Sequence, residues 1–85
     1  MEIQQLRYFL EVAKDCNITN AARRLHIAQP ALSQSIKRLE NEVGSELFSR
    51  RGRHIFLNDA GKIMVKEITP LLSALDSIPA KIAEA

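Results

Sequence analysis

The apolar spacing of residues 29–58 constrains this chain most, because its period changes once and abruptly. Leu32, Ile36, Leu39 and Val43 step by i, i+4, i+7 and i+11, the repeat of a helix with one buried stripe. Pro30 suits the first helical position, where its missing N–H has no partner to lose, and Gln29 then falls at the N-cap. Gly44, directly after Val43, is a helix stop. Beyond it the period shortens. Leu47-Phe48-Ser49-Arg50 and His54-Ile55-Phe56-Leu57 read as two short strands, joined by a turn at Arg51-Gly52-Arg53.

The residues before this unit supply two more helices. Ile3, Leu6, Phe9, Leu10 and Ala13 share one face of a helix expected over about residues 3–14, with Glu2 and Lys14 at the ends that suit its dipole. Asn17-Ile18-Thr19 interrupts the pattern, and Thr19 is the expected N-cap of a short helix over about residues 20–26. Ala21, Ala22 and Leu25 face inward there, and the adjacent alanines let another helix cross closely. His26-Ile27-Ala28 is expected to form a tight turn with Ile27 buried. Three helices beside a β-hairpin make a mainly α, winged helix-turn-helix layout.

Asn58 is a favourable cap for a last helix beginning near Asp59. In it Met64, Ile68, Leu71, Leu75, Ile78 and Ile82 step by 4, 3, 4, 3 and 4, a heptad seam. Pro70 and Pro79 interrupt it, each at roughly 3 kcal/mol in an ordinary helix interior, so a bent or segmented helix is expected. Two burial partners are open to the seam. Leu71, Leu72, Leu75 and Ile78 can fold back onto the chain's own core, or the stripe can pack against a second copy. The winged motif is complete within 58 residues, which favours the second copy.

Composition excludes several classes. Eighty-five residues, 46% hydrophobic and 26% charged, make one small globular domain rather than a disordered chain. A membrane span needs roughly 18 uninterrupted apolar residues, and no stretch approaches that. No basic start followed by an apolar run suggests a secretory signal, and a single cysteine excludes an intrachain disulfide and fits a reducing, cytoplasmic compartment. Cys16, His26 and His54 are too scattered for a structural zinc site, so no metal and no cofactor is expected. Ser33 and Ser35 lack a His and an acid at a convincing spacing, and the three glycines are isolated, so no enzymatic activity is expected.

The net charge of +2 is too small to name a partner, so position matters. Residues 1–28 carry four basic and three acidic groups, residues 29–58 five and three, and residues 59–85 three and four. On the third helix the buried stripe leaves Gln29, Pro30, Ser33, Gln34 and Lys37 outside, with Ala31 near the tip. These side chains suit a DNA major groove: Gln pairs with adenine, Ser bonds several base edges, and Ala or Pro touches a thymine methyl. A plain solvated face remains open from this helix alone. The hairpin tip adds Arg50, Arg51 and Arg53 around Gly52, like charges that call for an anionic partner such as phosphate or a narrow minor groove. Arg23 and Arg24 lie on the outer side of the second helix, which crosses the backbone in such motifs. Two rival readings stand beside DNA binding: a protein-interaction module whose function is the tail seam, and a winged helix that binds structured RNA by shape.

The run NITNAARRLHIAQPALSQSIKRLENEVGSELFSRRGRHIFLNDAG, together with LRYFLEVAK, resembles the N-terminal DNA-binding domain of LysR-type bacterial transcriptional regulators over essentially the whole chain. The paired Ala21 and Ala22, Leu25, the block Gln29-Pro30-Ala31-Leu32-Ser33, Leu39-Glu40, Gly44, Leu47-Phe48, Arg50 and Ala60-Gly61 carry the resemblance. It implies a helix-turn-helix at residues 18–37, a winged domain at 1–58 with its wing at 47–57, and a linker helix at 59–85 that pairs subunits. It implies base contacts from Gln29, Pro30, Ala31, Ser33 and Gln34, and backbone or wing contacts from Arg50, Arg51 and Arg53, with Arg23 and Lys37 beside them. It also implies a homodimer, or a tetramer in a full-length protein, on an interrupted dyad operator in double-stranded DNA. A small-molecule inducer would act through a C-terminal sensing domain that would begin where these residues end. Gln34 stands where Arg is frequent in the family, and Asn58 where Thr is usual.

Overall fold

A computed structural model describes residues 1–85. In order the elements are α1 (Ile3–Asp15), α2 (Ile18–Leu25), α3 (Gln29–Val43), β1 (Phe48–Arg51), β2 (His54–Leu57) and α4 (Asp59–Ala83). The fold is thus mainly helical, with one two-stranded antiparallel sheet, as the sequence led us to expect.

Local chemistry explains most boundaries. Asn17, not Thr19, caps α2: its side chain accepts the Asn20 N–H at 2.9 Å. Both residues are good caps, and the earlier one adds two residues to the helix. α1 and α2 end on Cys16 and His26, both in the left-handed region at φ 52° and 57°. The third helix begins one residue earlier than expected, with Ala28 at the N-cap and Pro30 still in the first turn. Gly44 ends it at φ 79°, as its position suggested.

The core centres on Phe9, Val12, Leu32, Leu39 and Leu47, all but fully buried. α1 packs on α3, α2 on α1 and α3, and α4 on α1 and β2. The buried residues of α1 are Gln5, Phe9 and Val12, while Leu6, Leu10 and Ala13 are half-buried and Ile3 is exposed. Because α1 touches three helices, its buried arc is wider than one stripe, and its centre lies a step from the apolar row. Gln5 is accommodated by hydrogen bonds from Nε2 to the Ser35 carbonyl and the Glu42 carboxylate, both at 3.5 Å.

The wing is pinned at its base. Phe48 stacks against Phe9 with ring centroids 5.5 Å apart. The Leu47 N–H donates to Glu40 Oε2 at 2.7 Å, and the Leu47 carbonyl accepts from the Asn58 N–H at 3.1 Å. β1 starts one residue later than expected, and Arg51 pairs with His54, so the loop shrinks to Gly52-Arg53 with Gly52 at φ 62°.

Asn58 caps α4, accepting the Gly61 N–H at 2.8 Å. Of the bent or segmented helix expected from Pro70 and Pro79, segmentation does not occur: α4 runs unbroken for 25 residues. Near the prolines, the hydroxyls of Thr69 and Ser77 bond back to the carbonyls of Val65 and Ala74 at 2.6 and 2.7 Å. At about 1.5 Å per residue this helix is about 37 Å long, most of the molecule's longest extent of 52 Å. No helix is long and apolar enough to cross a membrane.

Candidate nucleic-acid interface

The two faces of α3 divide as their spacing required. Leu32, Ile36 and Leu39 are buried, whereas Gln29, Pro30, Ala31, Gln34 and Lys37 are exposed and Ser33 is half-buried. Gln29 Nε2 donates to Ser33 Oγ at 3.0 Å, which holds the glutamine along the helix surface. The first turn of α3 has no side-chain cap hydrogen bond, and Gln29, Pro30 and Ala31 in it are exposed. α4 packs on α1 and β2 and leaves this edge open.

A groove separates this edge from the wing. At one end Asn17, Thr19, Gln29, Arg53 and His54 line it, and at the other Ser33, Lys37 and Phe48 together with the carboxylates Glu40 and Glu46. Arg50, Ile18 and Ile55 border both halves. The groove therefore brings together Gln29, Ser33, Lys37, Arg50 and Arg53 of the residues singled out from the sequence. Asn17 and Thr19 were missed as groove residues. The cap chemistry of α2 was visible, but its proximity to the wing depends on tertiary packing.

The three wing arginines do not act as one cluster. Successive strand residues point to opposite faces, so Arg50 faces the groove and Arg51 does not. Arg51 instead lies over the exposed Phe56 ring, its guanidinium carbon 5.6 Å from the centroid. Arg53, in the loop, joins Arg50 at the groove.

The ion pairs of this chain lie on α1 and its neighbours, away from the groove. Arg23, Lys37, Arg50 and Arg53 have no carboxylate partner. Arg24 does: it binds Glu11 at 2.7 Å and Asp15 at 2.9 Å, and so is withdrawn from the outer row where the sequence placed it beside Arg23. Hydrogen bonds from Lys14 and Arg24 hold the Glu11 carboxyl below its ordinary pKa, and Arg24 does the same for Asp15. Arg7 is likewise paired, with Asp76. Lys37, Arg50 and Arg53 line the groove without a carboxylate partner, an arrangement that an anion would complete. No three His, Cys, Asp or Glu side chains come together as metal ligands, and Cys16 is a half-buried free thiol.

The seam on α4 is covered only in part. Ile68 retains only 5% of its surface and belongs to the chain's own core, and Met64 is half-buried against that core. Leu72, off the heptad row, is also buried. Leu71, Leu75, Ile78 and Ile82 stay exposed, by 39% to 69%. The winged body thus needs α4 to close its core, and Ile68 has little surface to give a partner.

Comparison with known proteins agrees with this geometry. Residues 3–62 match the family described as bacterial regulatory helix-turn-helix protein, lysR family. The chain is 46% identical over 77 residues to the HTH-type transcriptional regulator BudR of Klebsiella aerogenes, covering 91% of this chain and 54% of BudR. It is 42% identical over 83 residues to the regulator XapR of Escherichia coli K12, covering 98% of this chain and 28% of XapR. The chain thus spans only 28% to 54% of the length of these relatives. Among solved structures, the BenM DBD in its complex with catB site 1 DNA superposes with a TM-score of 0.91 at 36% identity, covering 99% of this chain and 93% of that one. Full-length CbnR complexed with its target DNA superposes at 0.89 with 33% identity, covering 100% of this chain and 30% of that one. The fold, the motif and the relatives agree: this chain belongs to the LysR family of bacterial regulatory helix-turn-helix proteins.

Proposed function

We propose that this chain is the sequence-specific duplex-DNA-binding domain of a LysR-type transcriptional regulator, acting without catalysis in the cytoplasm. The observation that carries the reading is the groove between α3 and the wing, bordered by unpaired cations and by an uncovered amide-bearing helix edge. A major groove about 12 Å wide admits one helix. With the first turn of α3 inserted, Gln29, Pro30, Ala31, Ser33 and Gln34 face base edges. Arg50 and Arg53 then follow the backbone or enter the adjacent minor groove, and Arg23 and Lys37 hold phosphates. Arg51, stacked on Phe56, serves the outer face of the wing.

Residues 1–58 act as the reading body and 59–85 as the linker helix. Two copies join through Leu71, Leu75, Ile78 and Ile82, which places two copies of α3 on an interrupted dyad. In a longer protein, tetramer formation and response to a small-molecule inducer belong to a further domain. BudR and XapR, by name transcriptional regulators, support the regulatory reading, and each is longer than the part this chain matches.

A salt titration tests this reading. Four phosphate-seeking cations per copy give about eight contacts per dimer and a slope of log K against log salt of about −7. Arg53→Ala removes two contacts and makes the slope shallower by about 2. A flat salt response would favour a protein-interaction module, and equal competition by duplex RNA would favour shape recognition of RNA.

A further inference from the structure

The distal part of α4 has one face against its own body and another that is apolar and exposed. Leu72 is the last buried residue of the helix. One turn further, Asp76 takes two hydrogen bonds from Arg7 of α1: Nη2 to Oδ1 at 2.7 Å and Nη1 to Oδ2 at 3.1 Å. Leu72 and Asp76 are four residues apart and share a face. The exposed Leu71, Leu75, Ile78 and Ile82 form the adjacent face.

Between these contacts and the well-packed start of α4 stands Pro70. It cannot donate to the Lys66 carbonyl, so the helix is weakened there. Two contacts beyond that point hold the distal stripe at a set angle to the body: Leu72 beside Leu10 and Leu25, and the Arg7–Asp76 fork. Apolar contact tolerates sliding, whereas a two-bonded guanidinium–carboxylate pair fixes direction. A tilt of about 10° over a lever of about 20 Å, the short dimension of the molecule, moves α3 by about 3.5 Å, roughly one base-pair step.

We propose that the Arg7–Asp76 pair determines which half-site spacing a dimer reads, by fixing the angle between the winged body and the dimerisation stripe. Neither residue faces the α3–wing groove, so base preference within a half-site is independent of the pair. This inference rests on the DNA-binding reading above.

The test uses duplexes carrying two copies of the selected half-site with the spacer varied in single base pairs, and a duplex with one half-site. Wild type is expected to prefer one spacing. Arg7→Ala and Asp76→Asn should each cut the preference over neighbouring spacings by about three- to tenfold, since two exposed pairs are released per dimer. Affinity for the single half-site and the sedimentation of the dimer should not change. The double variant Arg7→Asp with Asp76→Arg should recover the preference. Single variants that keep the wild-type preference would overturn the inference, as would variants that lose affinity equally for every duplex. A wild-type protein that binds duplexes without regard to spacing would overturn it while leaving DNA binding intact. A wild-type protein that binds no duplex would overturn the DNA-binding reading itself.

Discussion

Gly61→Ala is expected to destabilise this fold, although the same change in an open helix would stabilise it. Gly61 lies in the first turn of α4, where Asn58 accepts its N–H at 2.8 Å. A methyl group there would overlap the Leu47 carbonyl oxygen and come within 2.5 Å of Leu57 Cδ1. The leucine tip can move, but the carbonyl is backbone and already accepts the Asn58 N–H at 3.1 Å. Helix preference favours alanine by about 0.5–1 kcal/mol. Forcing a methyl into a filled site costs about 1–3 kcal/mol, and the clash with main chain puts this case at the upper end. The net loss is about 1–2 kcal/mol. For a domain of this size each kcal/mol moves the melting temperature by about 4–8 °C, so a fall of about 4–16 °C is expected. Thermal melts by circular dichroism should compare both proteins at one fixed concentration, because dimerisation adds to apparent stability. A melting temperature that is unchanged or raised would refute the close approach of α4 to the base of the wing.

Three other perturbations reach different parts of the molecule. Gln29→Ala should relax base preference at one or two positions, with a loss of about 1–3 kcal/mol of discrimination in a selection from mixed duplexes; equal weakening on all sequences would remove Gln29 as a base reader. Leu75→Glu should convert dimer to monomer in sedimentation without lowering the stability of the winged body, because Leu75 is exposed while Ile68 and Leu72 close the core. Glu11 and Asp15 titrate below their ordinary values of 4.5 and 3.8, so the folded state binds fewer protons than the unfolded one as pH falls. Their contribution is complete above those values and lost as pH drops through the lower folded ones. Arg24→Ala should therefore flatten the loss of stability between about pH 5 and pH 2 in urea titrations.

Most of the fold was legible because it is written locally. The stripe from Leu32 to Val43, the stop at Gly44, the turn at Gly52 and the cap at Asn58 each depend on a few neighbouring residues, and each is where its chemistry requires. The α4 seam was only half legible. Heptad spacing marks an apolar face but does not say what covers it, and the chain's own core takes Ile68 and most of Met64. The same reason explains Arg24: its place on α2 put it beside Arg23, but Glu11 and Asp15 reach it across the α1–α2 packing. The split of the wing arginines turned on register. β1 extends through Arg51, which the sequence placed in the turn, so Arg50 and Arg51 fall on opposite faces, Arg50 at the groove and Arg51 over Phe56. Asn17 and Thr19 reached the groove through tertiary packing that no spacing rule conveys.

Selection of bound duplexes from a fully random pool bears most directly on what the exposed edge of α3 is for. Recovered sequences should converge on two inverted half-sites at a constant separation, reporting base readout and twofold pairing in one step. A recovered pool with no shared sequence, from a protein that still melts as a folded dimer, would contradict base reading by Gln29, Ser33 and Gln34.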